Sequence, residues 1–242
     1  MQISDASKNG ENEQENGLPP WKRALDLALI LLLLPGLALI AIFLSLLIKA
    51  GSKGPILFKQ TRVGYKGNLF TCYKFRTMQN NAEVHSHREH TTELIRSQAP
   101  MTKLDVRRDA RLVPVGSLMR ATGLDELPQL LNVLKREMSI VGPRPCIPYE
   151  YELYEPSQRH RLDAVPGLTG LWQVSGKNRT TFPQMVALDI EYSRRRSLAM
   201  DIKILTLTFP AIFQQCWDTK ISTRKARTMP TEMRKSATIY HL

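Results

Sequence analysis

The sequence predicts an α+β fold: a mostly helical domain with one small β-hairpin, behind an N-terminal apolar membrane segment. Three observations carry this. Leu27–Ile48 is a run of 22 residues without a charge; as one helix it would reach about 33 Å, enough to cross a bilayer core. Pro55–Phe58 and Leu69–Phe75 are apolar or aromatic-rich runs either side of the turn-prone Gly64-Tyr65-Lys66-Gly67, the pattern of a hairpin. Leu124, Leu127, Leu131 and Leu134 recur at the spacing of a helix face.

The elements follow in order. Residues 1–20 are polar and acidic, without an apolar period, and read as a disordered tail lacking the basic start of a signal peptide. The membrane segment built on that run occupies residues 21–50. Pro35-Gly36 interrupts it near the middle, where proline removes a backbone donor and clashes with the preceding turn. Trp21, Lys22 and Arg23 precede the run, and Lys49 and Lys53 follow it. Both flanks carry the cations typical of cytoplasmic loops, so local chemistry fits either a single span or a hairpin that enters, breaks at Pro35 and returns. Residues 51–216 form the main domain. In it, residues 79–108 are a polar loop or exposed helix; His85, His87 and His90 within it read as solvated rather than metal-bound. Pro128 suits the first turn of the Leu124–Leu134 helix. Gly142-Pro143-Arg144-Pro145 ends the next segment, Tyr149–Arg161 reads as a helix, and Pro166-Gly167 and Gly170 bracket a short strand at Leu171–Val174. Met185–Arg196 and Asp201–Cys216 read as helices, the second interrupted by Pro210; residues 217–242 are a basic tail.

Charge narrows the function. Lys and Arg number 34 against 22 Asp and Glu, a net +12, which calls for a polyanionic partner: nucleic acid, an anionic membrane or a phosphorylated substrate. Apolar residues at 43% exclude a wholly disordered chain. Three distant cysteines with no CxxC give neither a disulfide framework nor a zinc-cysteine site.

Two constellations can carry chemistry. Asp125 and Glu126 stand at the start of the leucine-striped helix. Adjacent carboxylates there commonly do no more than complement the helix dipole. They can also divide a phosphoryl transfer, one attacking phosphorus and the other holding a divalent cation. The second set is Lys59, Arg62, Lys74, Arg76, Arg111, Arg120 and Arg144. Any one cation can belong to a solvated face. Arg144 differs because Pro143 and Pro145 limit its backbone, and a preorganised guanidinium suits a pyrophosphate. Phosphoryl transfer needs many cations, since it is catalysed mainly by positioning and charge neutralisation.

Together the strings FKQTRVGYKG, YKFRTM, DARLVPVG, LDELPQLLNVLKREMSIVGPRP and PGLTGLWQVSGKN resemble the bacterial sugar transferases, and more closely the short-form monotopic polyprenyl-phosphate phosphoglycosyl transferases. The resemblance runs from about Trp21 to about Thr208. It implies transfer of a sugar-1-phosphate from a UDP-sugar to polyprenyl (undecaprenyl) phosphate, with release of UMP, through a covalent aspartyl-phosphosugar. This step would initiate polysaccharide or glycoconjugate synthesis. By that resemblance Asp125 is the nucleophile and Glu126 holds Mg2+, with Asp125 beside it. Lys74 and Arg120 join the catalytic set, and Arg76, Pro143, Arg144, Pro145, Lys177 and Asp189 bind substrate. It also implies a re-entrant membrane helix broken at Pro35, a catalytic domain on the cytoplasmic face of the bacterial inner membrane, and no nucleic-acid partner. The expected fold class is then α+β, a mostly helical membrane-associated domain with a small β-hairpin and an N-terminal re-entrant helix hairpin. Departures from the family pattern are Gly123 where Ser or Thr is usual, Lys177 where Arg is usual, and Leu34 rather than Ser before Pro35. The competing reading is a membrane-tethered basic binder of nucleic acid or anionic lipid. A further rival keeps the substrates but transfers in one step.

Overall fold

The computed structural model describes residues 17–78, 92–95, 97, 99–101 and 116–228. His85, His87, His90 and Arg111, most of the N-terminal tail and the end of the basic tail lie outside the described residues.

Helix α1 (Pro20–Gly51) opens on Pro20, whose missing N–H costs nothing in a first turn. It is helical throughout, with Pro35 inside. By length and composition it is able to cross a membrane. Its contacts are confined to its two ends. Lys22, Asp26 and Ile30 are buried near the start, Leu44 and Ile48 near the end, and residues 31–36 are all exposed. Ile30 packs with Phe70, Cys72, Val133 and Met138, whereas Leu44 and Ile48 pack with Phe75 and Met119. The start is also fastened by polar groups: Lys22 Nζ donates to Tyr192 Oη (2.8 Å) and to Asp201, and Asp26 Oδ1 accepts from Ser139 Oγ and the Ile140 N–H, both at 3.0 Å.

Strands β1 (Leu57–Val63) and β2 (Leu69–Phe75) form the expected antiparallel hairpin, with Leu57 opposite Phe75 and Val63 opposite Leu69. β1 is longer than the apolar run suggests, because ladder hydrogen bonds continue through the polar Lys59–Arg62 on a half-solvated sheet. After α2 (Gly116–Thr122), residues Leu124–Gln129 form a 3-10 turn, and only Leu130–Leu134 (α3) is α-helical. The leucine stripe therefore spans two kinds of helix.

Strand β3 (Ser139–Val141) pairs in parallel with β4 (Gly167–Thr169), Ser139 opposite Gly167 and Val141 opposite Thr169. This moves the expected strand: Leu171–Val174 is a helical turn, α5, and the extended residues precede it. Backbone proximity is the reason. A Cβ on Gly142 would stand 2.3 Å from the Val165 carbonyl oxygen, and one on Gly167 would stand 2.0 Å from the Gly142 nitrogen. Only glycines let these segments approach so closely.

The expected Tyr149–Arg161 helix is two pieces, α4 (Pro148–Glu152) and a 3-10 turn at Gln158–Leu162, since Pro156 cannot continue a helix. Helix α6 (Phe182–Arg195) begins in a capping box, in which the Thr181 hydroxyl accepts from the Gln184 N–H and the Gln184 amide oxygen accepts from the Thr181 N–H. Its buried Phe182, Met185, Val186, Asp189 and Tyr192 share one face. Helix α7 (Leu198–Thr228) passes through Pro210 without ending there.

Candidate active site

The 3-10 turn carrying Leu124–Gln129 packs on β2, which brings Glu126 to Lys74. Lys74 Nζ lies 3.0 Å from Glu126 Oε1. A cleft opens here, lined by Arg62, Cys72, Lys74, Glu126, Gln129, Arg144, Pro145, Gly167, Leu168, Gln173 and Lys177. Four cations thus face one carboxylate, a field that attracts anions. Burial pushes the Glu126 carboxyl up, but Lys74, Arg144 and Lys177 outweigh it and draw it down to about 2. Glu126 is therefore ionised at neutral pH. Asp125 is half-buried on the same turn.

Gly123 precedes this turn with φ +77°, the left-handed region. The missing hydroxyl at this position has a local reason: glycine enters that region without the strain of a side chain.

Arg144 is positioned from several directions. Its guanidinium carbon lies 5.9 Å from the centre of the Trp172 ring, within cation–π range. Its carbonyl accepts from Arg161 Nη2 at 3.1 Å. Arg62, in the neighbouring strand, donates to the Pro145 carbonyl at 3.1 Å, and the Val63 N–H donates to the Cys146 carbonyl at 2.9 Å. The loop is thereby stitched to the end of β1.

The cleft gathers Lys74, Glu126, Arg144, Pro145 and Lys177 of the expected site residues, together with Arg62 from the cation set. The others have different surroundings. Arg76 is buried and binds the end of α1, donating to the Lys53 carbonyl (2.9 Å), the Ser52 carbonyl (3.1 Å) and Ser52 Oγ (2.6 Å); its guanidinium serves the anchor rather than the cleft wall. Asp189 is wholly buried on α6 and pairs with Arg161, one layer behind Arg144. Pro143 is buried and its carbonyl accepts from the Gly167 N–H at 2.9 Å, joining the loop to β4. Arg120 is on α2, half-buried, and its carbonyl accepts from Gln215. Lys59 is exposed on β1.

Arg161 is the residue that sequence reasoning missed. It is 1% exposed and donates to Tyr154 Oη at 2.7 Å, to Asp189 and to the Arg144 carbonyl. Beside it, burial pushes the Asp189 carboxyl up to about 6, against the pull of the guanidinium. The only signal in the chain is an arginine three residues after the start of a basic surface run, Gln158-Arg159-His160, which points outward rather than inward.

A match to known proteins decides the class. Residues 18–215 fit the pattern described as bacterial sugar transferase. The chain belongs to the bacterial sugar transferase family. Among curated relatives, this sugar transferase is 38% identical over 191 residues to the exopolysaccharide production protein ExoY of Sinorhizobium fredii, covering 79% of the chain and 84% of the relative. It is 42% identical over 194 residues to the galactosyl transferase CpsE of Streptococcus agalactiae, covering 79% of the chain and 42% of the relative. It is 40% identical over 168 residues to the undecaprenyl-phosphate galactose phosphotransferase of Salmonella typhimurium, covering 67% of the chain and 34% of that relative. The chain therefore spans less than half of the longer relatives and most of the shorter one. The enzyme class expected from the LDELPQ and GPRP strings holds, in preference to a tethered binder without catalysis.

Proposed function

We propose that this sugar transferase moves a sugar-1-phosphate from a UDP-sugar to polyprenyl phosphate at a membrane surface, in two steps through Asp125. A carboxylate oxygen of Asp125 attacks the β-phosphorus. The bond from that phosphorus to the bridging oxygen breaks, and UMP leaves with the electron pair. A phosphate oxygen of the lipid then attacks the same phosphorus, the bond to Asp125 breaks, and the carboxylate is regenerated. The product is a polyprenyl diphosphate sugar. The observation that carries this reading is the cleft in which Arg62, Lys74, Arg144 and Lys177 surround Glu126, with Asp125 adjacent on the same turn. Lys74, Arg144 and Lys177, which line the cleft, bind and neutralise diphosphate oxygens.

Magnesium fits the donor set. Among the described residues no group of three or more His, Cys, Asp or Glu converges, which excludes a cage made there of protein ligands alone. Mg2+ commonly takes one or two carboxylates and completes its shell with waters and substrate phosphates. Glu126, ionised as the cations dictate, and Asp125 would hold it, and it would supply further charge neutralisation at the phosphates.

The lipid substrate requires the cleft to sit at headgroup height, on the cytoplasmic face where the nucleotide sugar is available. We infer that α1 enters the membrane and returns. Support comes from its two docked ends with the exposed residues 31–36 between them and from cations at both flanks. Single cysteines at Ser7 and Lys53, with Cys72, Cys146 and Cys216 replaced, would label from the same side of sealed vesicles. Labelling from opposite sides would make α1 an ordinary span.

The catalytic test is intact mass after incubation with a panel of UDP-sugars, alongside UMP release with and without polyprenyl phosphate. The native chain should gain one phosphosugar and Asp125→Asn none, because an amide offers no anionic nucleophile. An adduct of normal yield on Asp125→Asn would remove Asp125 from the role, and a strict need for both substrates before any UMP appears would favour one-step transfer.

A further inference from the structure

We propose that Gln215 is a positioning residue that holds the Lys177 ammonium in the cleft without cancelling its charge. The proposal rests on the cleft being a phosphate site. Lys177 lines the cleft from a short 3-10 turn, Lys177–Arg179. Its backbone is strained, with φ +41°, a conformation a long side chain adopts only when its surroundings enforce it. Part of the enforcement is local: Thr180 Oγ1 donates to the Lys177 carbonyl at 2.7 Å and itself accepts from Trp172 Nε1 at 2.6 Å. The rest comes from α7. Lys177 Nζ donates to Gln215 Oε1 at 2.7 Å. Gln214, with its amide oxygen turned to the guanidinium, accepts from Arg179 Nη2 and Nη1 at 3.0 and 3.2 Å. Consecutive glutamines on one helix thus grip both cations of one turn. Gln215 also faces the other side of the site, since its Nε2 donates to the Arg120 carbonyl at 3.2 Å, and the next residue, Cys216, donates its thiol to the Ala121 carbonyl at 3.4 Å. One amide side chain therefore ties the Lys177 turn to α2.

The choice of a neutral acceptor has a chemical consequence. Lys74 is held by the Glu126 carboxylate, which offsets its charge. The Gln215 amide fixes the Lys177 ammonium and itself subtracts nothing from its field, which acts on Glu126 across the cleft. An ammonium has three N–H donors; Gln215 takes one of them.

The test uses the full chain in detergent, with inorganic pyrophosphate as the probe, titrated calorimetrically into the native protein and into Gln215→Leu, Gln215→Glu, Lys177→Met and the two Gln215 variants combined with Lys177→Met. Unfolding midpoints are measured for each, and UMP release gives KM and kcat. Loss of an oriented charge-assisted contact should weaken pyrophosphate about fivefold in Gln215→Leu, and cancelling the charge should weaken it about tenfold in Gln215→Glu. In Gln215→Glu the contact to Lys177 is kept while the donor to the Arg120 carbonyl is lost, so the midpoint should fall no further than in Gln215→Leu. In the Lys177→Met background each change at 215 should weaken pyrophosphate by a smaller factor than in the native background, and in the single Gln215 variants KM for the UDP-sugar should rise more than kcat falls. If Gln215→Leu does not fold, Gln215→Glu decides. Native-like affinity in Gln215→Glu, equal fold-changes in both backgrounds, or no pyrophosphate binding by the native chain would overturn the proposal. Pyrophosphate binding with these fold-changes, but no turnover of any UDP-sugar, would overturn the proposed transfer and leave Gln215 in its role.

Discussion

Glu126→Gln should destabilise the fold at neutral pH and do so much less in acid. The structure sets the size. Glu126 faces Lys74 at 3.0 Å and is 37% exposed, and Lys74, Arg144 and Lys177 draw its carboxyl from 4.5 to about 2 despite burial. A shift of that size is roughly 3 kcal/mol at one pKa unit per 1.4 kcal/mol; screening by solvent at a site this open reduces it to about 1–2 kcal/mol. The carboxyl is more acidic folded than unfolded. Its stabilisation is therefore complete above 4.5 and is lost as pH falls from 4.5 through about 2. For a chain of this length, about 2–4 °C per kcal/mol gives a midpoint roughly 2–8 °C below the native one at pH 7. The gap should stay level from pH 6 to 8 and shrink to less than about half by pH 3. Thermal unfolding in detergent, native against Glu126→Gln, reads this directly. An equal gap at pH 3 and pH 7 would refute the argument, since the effect would then be one of shape rather than charge. A glutamine variant more stable than native at pH 7 would refute the cationic field itself. The functional corollary is that Glu126 stays ionised through any acid limb of activity above about pH 4, so such a limb belongs to another group.

Arg161→Met should cost about 3 kcal/mol at pH 8, the penalty for leaving a buried partner charge unpaired, and less at pH 5. The sign follows from Asp189, already raised to about 6: without Arg161 it rises further, and a carboxyl raised on folding favours the fold at low pH and opposes it as pH climbs through its folded value. Urea unfolding at the two pH values checks this, and donor KM should rise because Arg144 loses the donor to its carbonyl. Gly142→Ala and Gly123→Ala separate contact from strain. The first places a Cβ 2.3 Å from backbone and should lower expression of folded protein or cost several kcal/mol. The second meets nothing within 4 Å and should cost only about 1 kcal/mol of left-handed strain, measured by the unfolding midpoint.

How much of this was legible depends on the range of the interactions. The β1–β2 hairpin was readable because turn residues and flanking apolar runs are local, and so was the body of α6, expected over Met185–Arg196, although its capped start at Thr181–Phe182 was not read. The Asp125-Glu126 pair and Arg144 were readable as chemistry because their neighbours in sequence, Pro128, Pro143 and Pro145, constrain them. The β3–β4 pair was not. Its signal is the absence of side chains at Gly142 and Gly167, which states that something passes close but not what, so the sequence reads Gly167 as a turn and puts the strand at Leu171, four residues late.

Charge reading failed in a more instructive way. From sequence Arg76 and Asp189 stand with Lys74 and Arg144 as candidate site residues, and Arg161 is not among them. The fold sorts them by depth. Lys74 and Arg144 reach the cleft, Arg76 is spent on the carbonyls that end α1, and Arg161 with Asp189 is sealed behind Arg144. Burying a guanidinium costs several kcal/mol unless its charge is paired, and the partners of Nη1 and Nη2 lie at least seven residues away, Tyr154, Arg144 and Asp189, while the buried Nε has none. No local pattern encodes such a set. A residue's motif membership therefore shows that its charge matters, while its depth decides whether it touches substrate or holds in place the residue that does. Arg161 and Gln215 both belong to the second kind, one behind Arg144 and the other beside Lys177. The cleft's cations are thus oriented mainly by groups that themselves line none of it.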